Sequence, residues 1–314
     1  MKINKILIVL TIVFCSCSKN NDIDNVSNWV DISSSSMGNI NLTDVEFLND
    51  EFGIISGEFG GLMKTVDGGV TWNNLDVGTN NSLLKTFILN ENKFFTSRNG
   101  IYKTADSGDS FFELGNFSNN EGSISSIYFF DSDNGIINKG SFIYRTDDGG
   151  QTWTLVYEQA EFANKMQFVS DNIGFFFGGK TDDYGSIGEL YKTVDGGNNW
   201  EKINISASEI TSMYFLDENV GYASNFENQV LKTQDGGINW EIIANQNQPL
   251  YDLIFLDDNI GYGISSNAIY LTMNGGYTWV KDYENTLMTF TSITSTPSNE
   301  IFVVGNDGII IINK

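Results

Sequence analysis

The phrase Thr-x-Asp-x-Gly-x-x-Trp, or a close variant of it, occurs six times in this chain at intervals of 39 to 47 residues. Spacing that even over that length confines the fold to an array of small supersecondary units. The copies start at Thr65, Thr104, Thr146, Thr193, Thr233 and Thr272, and carry Asp67, Asp106, Asp148, Asp195, Asp235 and Asn274 two residues later. They end on Trp72, Phe111, Trp153, Trp200, Trp240 and Trp279. The remaining tryptophan, Trp29, lies in Asn28-Trp29-Val30-Asp31 and reads as the tail of a seventh copy whose head is missing.

A second motif alternates with the first. A Phe is followed six residues later by Gly at Phe47–Gly53, Phe129–Gly135, Phe168–Gly174, Phe215–Gly221 and Phe255–Gly261. Asp, Asn and Glu fill the interval, which is turn chemistry between two short strands. A third strand leads into each Asp phrase, as in Glu189–Thr193, and a fourth leaves its Trp, as in Trp200–Ile203. Four short antiparallel strands per period of this length are the mark of a β-propeller. The segment from Thr289 to Lys314 ends without an Asp phrase, and Trp29–Ile32 can supply its missing outer strand. The expected architecture is an all-β, seven-bladed β-propeller over residues 28–314, its last blade closed by the N-terminal strand. Joining both termini in one blade removes the open edges that would otherwise invite aggregation. A monomeric propeller is expected.

The Asp phrase resembles the Asp-box, or BNR repeat, found in sialidases, in xyloglucanases and in the photosystem II assembly and stability factor family. That resemblance implies that each phrase is the hairpin between the third and fourth strands, on the propeller face away from an active site. The residue chemistry agrees: Gly-Gly after Asp67, Asp148, Asp195 and Asp235 suits a tight turn, and the carboxylate can accept its N–H groups. A residue repeated once per blade points to several places around a ring and cannot converge on one substrate. A structural role is therefore expected for Asp67, Asp106, Asp148, Asp195, Asp235 and Asn274. Asp131-Ser132-Asp133-Asn134-Gly135 looks like the start of a calcium loop, but it is one instance of the recurring turn and lacks the matching bidentate Glu. No metal and no cofactor are expected.

Counting excludes several activities. Sialidases clamp their substrate with three arginines, whereas this chain has Arg98 and Arg145. Arg145 stands before Thr146, where other copies carry Lys64, Lys103, Lys192 and Lys232, so it is a repeat position. The absence of histidine removes Ser-His-Asp and Cys-His catalysis and every His-ligated metal site. Glycoside hydrolysis by two carboxylates stays open, because 40 acidic residues are present, although none is singled out as catalytic. A net charge of −23 makes nucleic acid and anionic lipid headgroups poor partners.

The resemblance to photosystem II assembly factors implies a role in assembling a membrane complex. The basic surface patch of that family has no counterpart in so acidic a chain, so the scaffold idea alone is transferred. The expected function is a non-enzymatic, envelope-anchored scaffold that binds a protein or assembles a complex. The alternative is a carbohydrate-binding or glycan-degrading propeller of the glycoside hydrolase type. The partner would be an envelope protein or a glycan. Blade four breaks the repeat with an insertion from Gly179 to Gly188, so Lys180, Thr181, Asp182, Asp183 and Tyr184 form the candidate binding loop. The links Phe162–Lys165 and Pro249–Tyr251 are weaker candidates.

Residues 1–16 carry Lys2 and Lys5 ahead of an apolar run from Ile6 to Phe14. That run is too short to span a hydrocarbon layer of roughly 30 Å, and a cleaved export signal fits it better. Ser16-Cys17 resembles the end of a bacterial lipobox, which implies a lipid on Cys17, with Cys15 as the competing position and an ordinary secretory signal as the alternative. Residues 17–27 would then be a polar tether to a membrane of the bacterial cell envelope, facing the periplasm or the outside.

Overall fold

The computed structural model describes residues 28–33, 39–115, 117, 121–158, 163–182, 185–203, 205 and 208–314. The signal, the tether, Cys17, Asp183, Tyr184 and Phe162 lie outside the described residues.

Seven four-stranded antiparallel sheets stand around one axis. The chain opens with β1 (Trp29–Asp31). Blade I is β2 (Leu42–Phe47), β3 (Gly53–Gly57), β4 (Leu62–Thr65) and β5 (Asn73–Asn74). Blade II is β6 (Lys85–Asn90), β7 (Lys93–Ser97), β8 (Ile101–Thr104) and β9 (Phe112–Leu114). Blade III is β10 (Ile124–Phe129), β11 (Gly135–Lys139), β12 (Phe142–Thr146) and β13 (Thr154–Glu158). Blade IV is β14 (Ala163–Phe168), β15 (Gly174–Asp182), β16 (Gly185–Thr193) and β17 (Glu201–Ile203). Blade V is β18 (Ile210–Phe215), β19 (Gly221–Asn225), β20 (Gln229–Thr233) and β21 (Glu241–Asn245). Blade VI is β22 (Asp252–Phe255), β23 (Gly261–Ile264), β24 (Ala268–Thr272) and β25 (Val280–Glu284). Blade VII is β26 (Phe290–Ser295), β27 (Ile301–Gly305) and β28 (Ile310–Asn313), with β1 as its outermost strand. Trp29, Val30 and Asp31 pair with Asn313, Ile312 and Ile311, so the two ends of the chain close the ring in one sheet.

The Phe-to-Gly motif is a packing device. In the five blades that carry the motif the ring of that Phe lies flat over the Gly it faces across the first two strands, and a Cβ there would meet the ring at 2.7 Å for Gly53 and 2.5 Å for Gly221. At four of them an aromatic residue of the second strand of the preceding blade then stacks on the same Phe. Phe302 lies 4.2 Å from Phe47, Phe95 4.0 Å from Phe129, Phe175 3.6 Å from Phe215, and Tyr222 3.5 Å from Phe255, all between ring centroids. The tryptophan of the blade's own Asp phrase closes the stack edge-on, as Trp240 does on Phe215 and Trp279 on Phe255, both at 5.9 Å. The interfaces in front of blades I, III, V and VI are thus three-ring stacks that remove large apolar area from water, and in front of blade IV Ile136 takes the place of the first ring.

The Gly179–Gly188 insertion, expected as a loop, is strand over most of its length. β15 and β16 keep pairing out to Asp182 opposite Gly185. The segment contains no proline to interrupt a ladder, and extending the hairpin satisfies backbone groups that a loop would leave to water.

Candidate functional site

The two faces of the ring differ in kind. The first strand of each blade runs away from the link with the previous blade, so the turns between strands one and two share a face with the Asp phrases. The turns between strands two and three and the links between blades share the other, loop face.

On the Asp face each phrase folds onto itself. Thr65 Oγ1 donates to Asp67 Oδ1 at 2.8 Å and accepts from the N–H of Gly69 at 2.9 Å. The other Asp67 oxygen accepts from the hydroxyl of Thr71 at 2.6 Å. The same bonds recur at Asp106 and Asp148; at Asp195 and Asp235 the amides of Asn199 and Asn239 donate in place of the hydroxyl, and Asn274 reverses the last bond, its Nδ2 donating to Thr278 Oγ1. Gly68 and Gly69 have φ of 68° and 80°, which a side chain resists. Hydroxyl and backbone donors in the turn hold the Asp106 and Asp148 carboxyls down at about 2. These carboxylates spend their acceptor capacity inside their own turns.

The cation before the Thr of each of the first four phrases reaches the next blade. Lys64 Nζ donates to Ser107 O at 2.6 Å, Lys103 to Gly149 O at 3.0 Å and Lys192 to Gly236 O at 3.1 Å, and Arg145 bonds Gly196 O in the same way. The repeated basic position is a row of clasps between blades, and Arg145 is one of them.

The channel is where the blades differ. The residue three before the recurring Phe faces the axis, and around the ring that position holds Asp44, Lys85, Ser126, Lys165, Ser212, Asp252 and Ser292. Lys85 Nζ lies 2.9 Å from Asp44, and Lys165 Nζ lies 2.7 Å from Asp252 on a blade two places away. Asp44 also accepts from the N–H of Thr86 at 2.9 Å, and Asp252 from Ser212 Oγ at 3.1 Å. Burial works against the Asp252 carboxylate, but the charge and hydrogen bond of Lys165 outweigh it and hold the group below the ordinary carboxylate range. Burial likewise opposes the Lys85 ammonium, and Asp44 with Asp252 outweighs it, raising its pKa.

One turn of the pleat further in, Glu46 faces the channel beside Phe87, Tyr128, Gln167 and Tyr214, around a chamber of about 290 Å³. Its Oε2 is buried with no hydrogen-bond partner. Burial, reinforced by the charge of Asp44, outweighs hydrogen bonding from the Ile88 backbone and Thr86 and the charge of Lys85, and pushes its carboxyl up to about 8.

Toward the loop face the channel widens into a vestibule of about 490 Å³, lined among others by Thr43, Lys165, Glu209, Phe226, Tyr251 and Asp252. Phe226 and Tyr251 meet edge-on at 6.3 Å and are 52% and 42% exposed. On the same face the turn between β3 and β4 presents Phe59, 70% exposed and at φ 55°. A bulky residue in that left-handed region costs about 1 kcal/mol or more. Burial gives Phe59 nothing in return for that strain.

Of the residues singled out from the sequence, Lys180, Thr181 and Asp182 are the end of β15, and Tyr251 lines the vestibule. Lys165, the end of the Phe162–Lys165 link, lines the channel and the vestibule. The other channel residues, Asp44, Glu46, Lys85 and Asp252, were missed, with Phe59 and Phe226. The channel's signal was available: counting three back from each recurring Phe reads Asp, Ser, Lys, Ser, Asp, a variable position inside an invariant frame.

Residues 22–161 match the family model described as Photosynthesis system II assembly factor YCF48. The chain superposes on YCF48 from Cyanidioschyzon merolae with a TM-score of 0.76 at 16% identity, covering 91% of this chain and 98% of that one. For YCF48 bound to D1 peptide the TM-score is 0.74 at 19% identity, with 91% and 96% covered. A streptogramin B lyase gives 0.75 at 12% identity, with 91% and 97% covered. No curated protein matches the sequence at a significant level. A lyase fits as well as an assembly factor, so the likeness in shape establishes the fold and leaves the role to the site.

Proposed function

We propose that this chain, a seven-bladed Asp-box propeller similar to the YCF48 family, is a non-enzymatic scaffold that holds a segment of a partner protein on its loop face. The observation that carries this reading is Phe59, exposed and conformationally strained on the face where Phe226 and Tyr251 flank the channel mouth. Exposed aromatic rings are the residues around which protein interfaces concentrate their binding energy. That YCF48 takes up a D1 peptide supports a peptide segment as the kind of partner. The net charge of −23 favours a basic one. Replacing Phe59, Phe226 and Tyr251 together by Ser should abolish partner capture in crosslinking from the native envelope while the melting temperature changes little. Undiminished capture would remove the loop face from consideration.

Attachment to the bacterial envelope through a lipid on Cys17 belongs to the same proposal. Metabolic labelling with a fatty-acid analogue should mark the chain and fail to mark Cys17→Ser. Labelling of the variant would move the anchor to Cys15 or another route.

A second reading, glycan hydrolysis, is favoured by Glu46, a carboxyl kept protonated two residues from Asp44. It is the weaker reading because Asp44 is already engaged by Lys85, Thr86 and Ser292. Turnover of any glycan that vanishes in both Glu46→Gln and Asp44→Asn would reverse the ranking.

A further inference from the structure

We infer that the chamber beneath the charged ring binds a small organic cation, with the Glu46 carboxylate as counter-ion and Phe87, Tyr128 and Tyr214 among its walls. The charges at the upper wall of the chamber are paired, Lys85 on Asp44 and Lys165 on Asp252, although Lys85 also lies near enough to favour the Glu46 charge. Gln167 is turned away into blade V, where its Oε1 accepts from the N–H of Phe215 and its Nε2 donates to Phe215 O, both at 2.8 Å. Glu46 is left with a buried oxygen that no described group satisfies. A buried carboxyl in that position stays protonated until a cation arrives to hold its charge. Burial raises the Tyr128 and Tyr214 phenols, so both rings remain neutral aromatic surfaces. Aromatic side chains around one carboxylate suit an ammonium group. A metal ion needs several oxygen ligands, and no cluster of metal-binding side chains occurs among the described residues. A volume of about 290 Å³ limits the ligand to an alkylammonium or trimethylammonium compound of a few carbons. This site is independent of any protein on the loop face.

The test is isothermal titration of the purified chain with n-butylammonium and with choline, using potassium chloride as the inorganic control. One-to-one binding is expected for at least one of the two organic cations, with none for potassium. The preferred compound distinguishes a primary from a quaternary ammonium ligand. Glu46 faces Asp44 on its own strand and Lys85, Tyr128, Lys165, Tyr214 and Asp252 on the others. With its carboxyl at about 8 before binding, the complex should release a proton at pH 6.5 and tighten about tenfold per pH unit up to pH 7.5. Glu46→Gln should weaken binding by more than about tenfold, as for loss of a charge-assisted contact. Tyr214→Leu, which keeps the carboxyl, should weaken it several-fold. Absence of saturable binding, equal binding of potassium, or variants that bind like the parent would each overturn the assignment.

Discussion

The Asp rim and the channel ring are both built from one residue position per blade, yet they behave in opposite ways. On the rim the same side chain recurs in five of six copies, and each Asp is consumed by its own seven-residue turn, as in Thr65 to Thr71. In the channel the equivalent position changes from Asp to Lys to Ser, and its members find partners on other blades. In a repeat protein, a position that every unit spells alike serves the unit. A position that the units spell differently can serve the whole ring, because only there can unlike groups meet on one axis.

The sharpest way to break that comparison is to remove one member of each set. Asp252→Ala strips Lys165 of its partner and leaves the N–H of Leu253 and the Ser212 hydroxyl without their acceptor, and should cost about 3–5 kcal/mol in denaturant unfolding. Because the folded-state carboxyl lies below its unfolded value, that stability is present above the unfolded pKa and is lost as pH falls through the folded one. A loss under 1 kcal/mol would mean that the channel charges are as dispensable as surface pairs.

Glu46 predicts the reverse sign. Its carboxyl sits at about 8 against an ordinary 4.5, so the folded chain keeps a proton that the unfolded chain has released. Stability should therefore fall as pH rises from about 4.5 to about 8. Glu46→Gln should match the parent at pH 4 and exceed it by about 2–4 kcal/mol at pH 8. Parallel stability curves for the two proteins would contradict the burial argued for this group.

On the rim, Asp195→Ala loses bonds to Thr193 and Asn199 and should cost about 1 kcal/mol, read as a shift in denaturation midpoint. An equal cost at channel and rim would erase the distinction between them. The smallest effect is expected at Phe59. Phe59→Gly relieves a left-handed conformation and should raise stability by up to about 1 kcal/mol, while removing an exposed ring from the loop face. A drop in stability would show that the ring packs in the free protein and is not held out for a partner.

Much of this fold was legible before any coordinates. The period, the tight Gly-Gly turn and the closure of blade VII by Trp29 all follow from residues near one another in the chain or from a terminal fragment that completes a visible pattern. The blade IV insertion was located correctly as a break in symmetry but read as a loop, because composition alone does not distinguish an irregular excursion from a hairpin that keeps pairing to Asp182 and Gly185. The row of Lys64, Lys103, Arg145 and Lys192 was visible as a repeat, although its carbonyl partners lie a full blade away.

What the sequence by itself determined is the repeating unit, since the bonds that make an Asp phrase span at most four residues and form wherever the phrase is written. What only the tertiary structure decided is the channel. Lys165 and Asp252 are 87 residues apart and Asp44 and Ser292 are 248 apart. Their pairing, and the carboxyl of Glu46 left beneath them, exist because seven blades close a ring and bring one position of each to a common axis, where distance along the chain no longer matters.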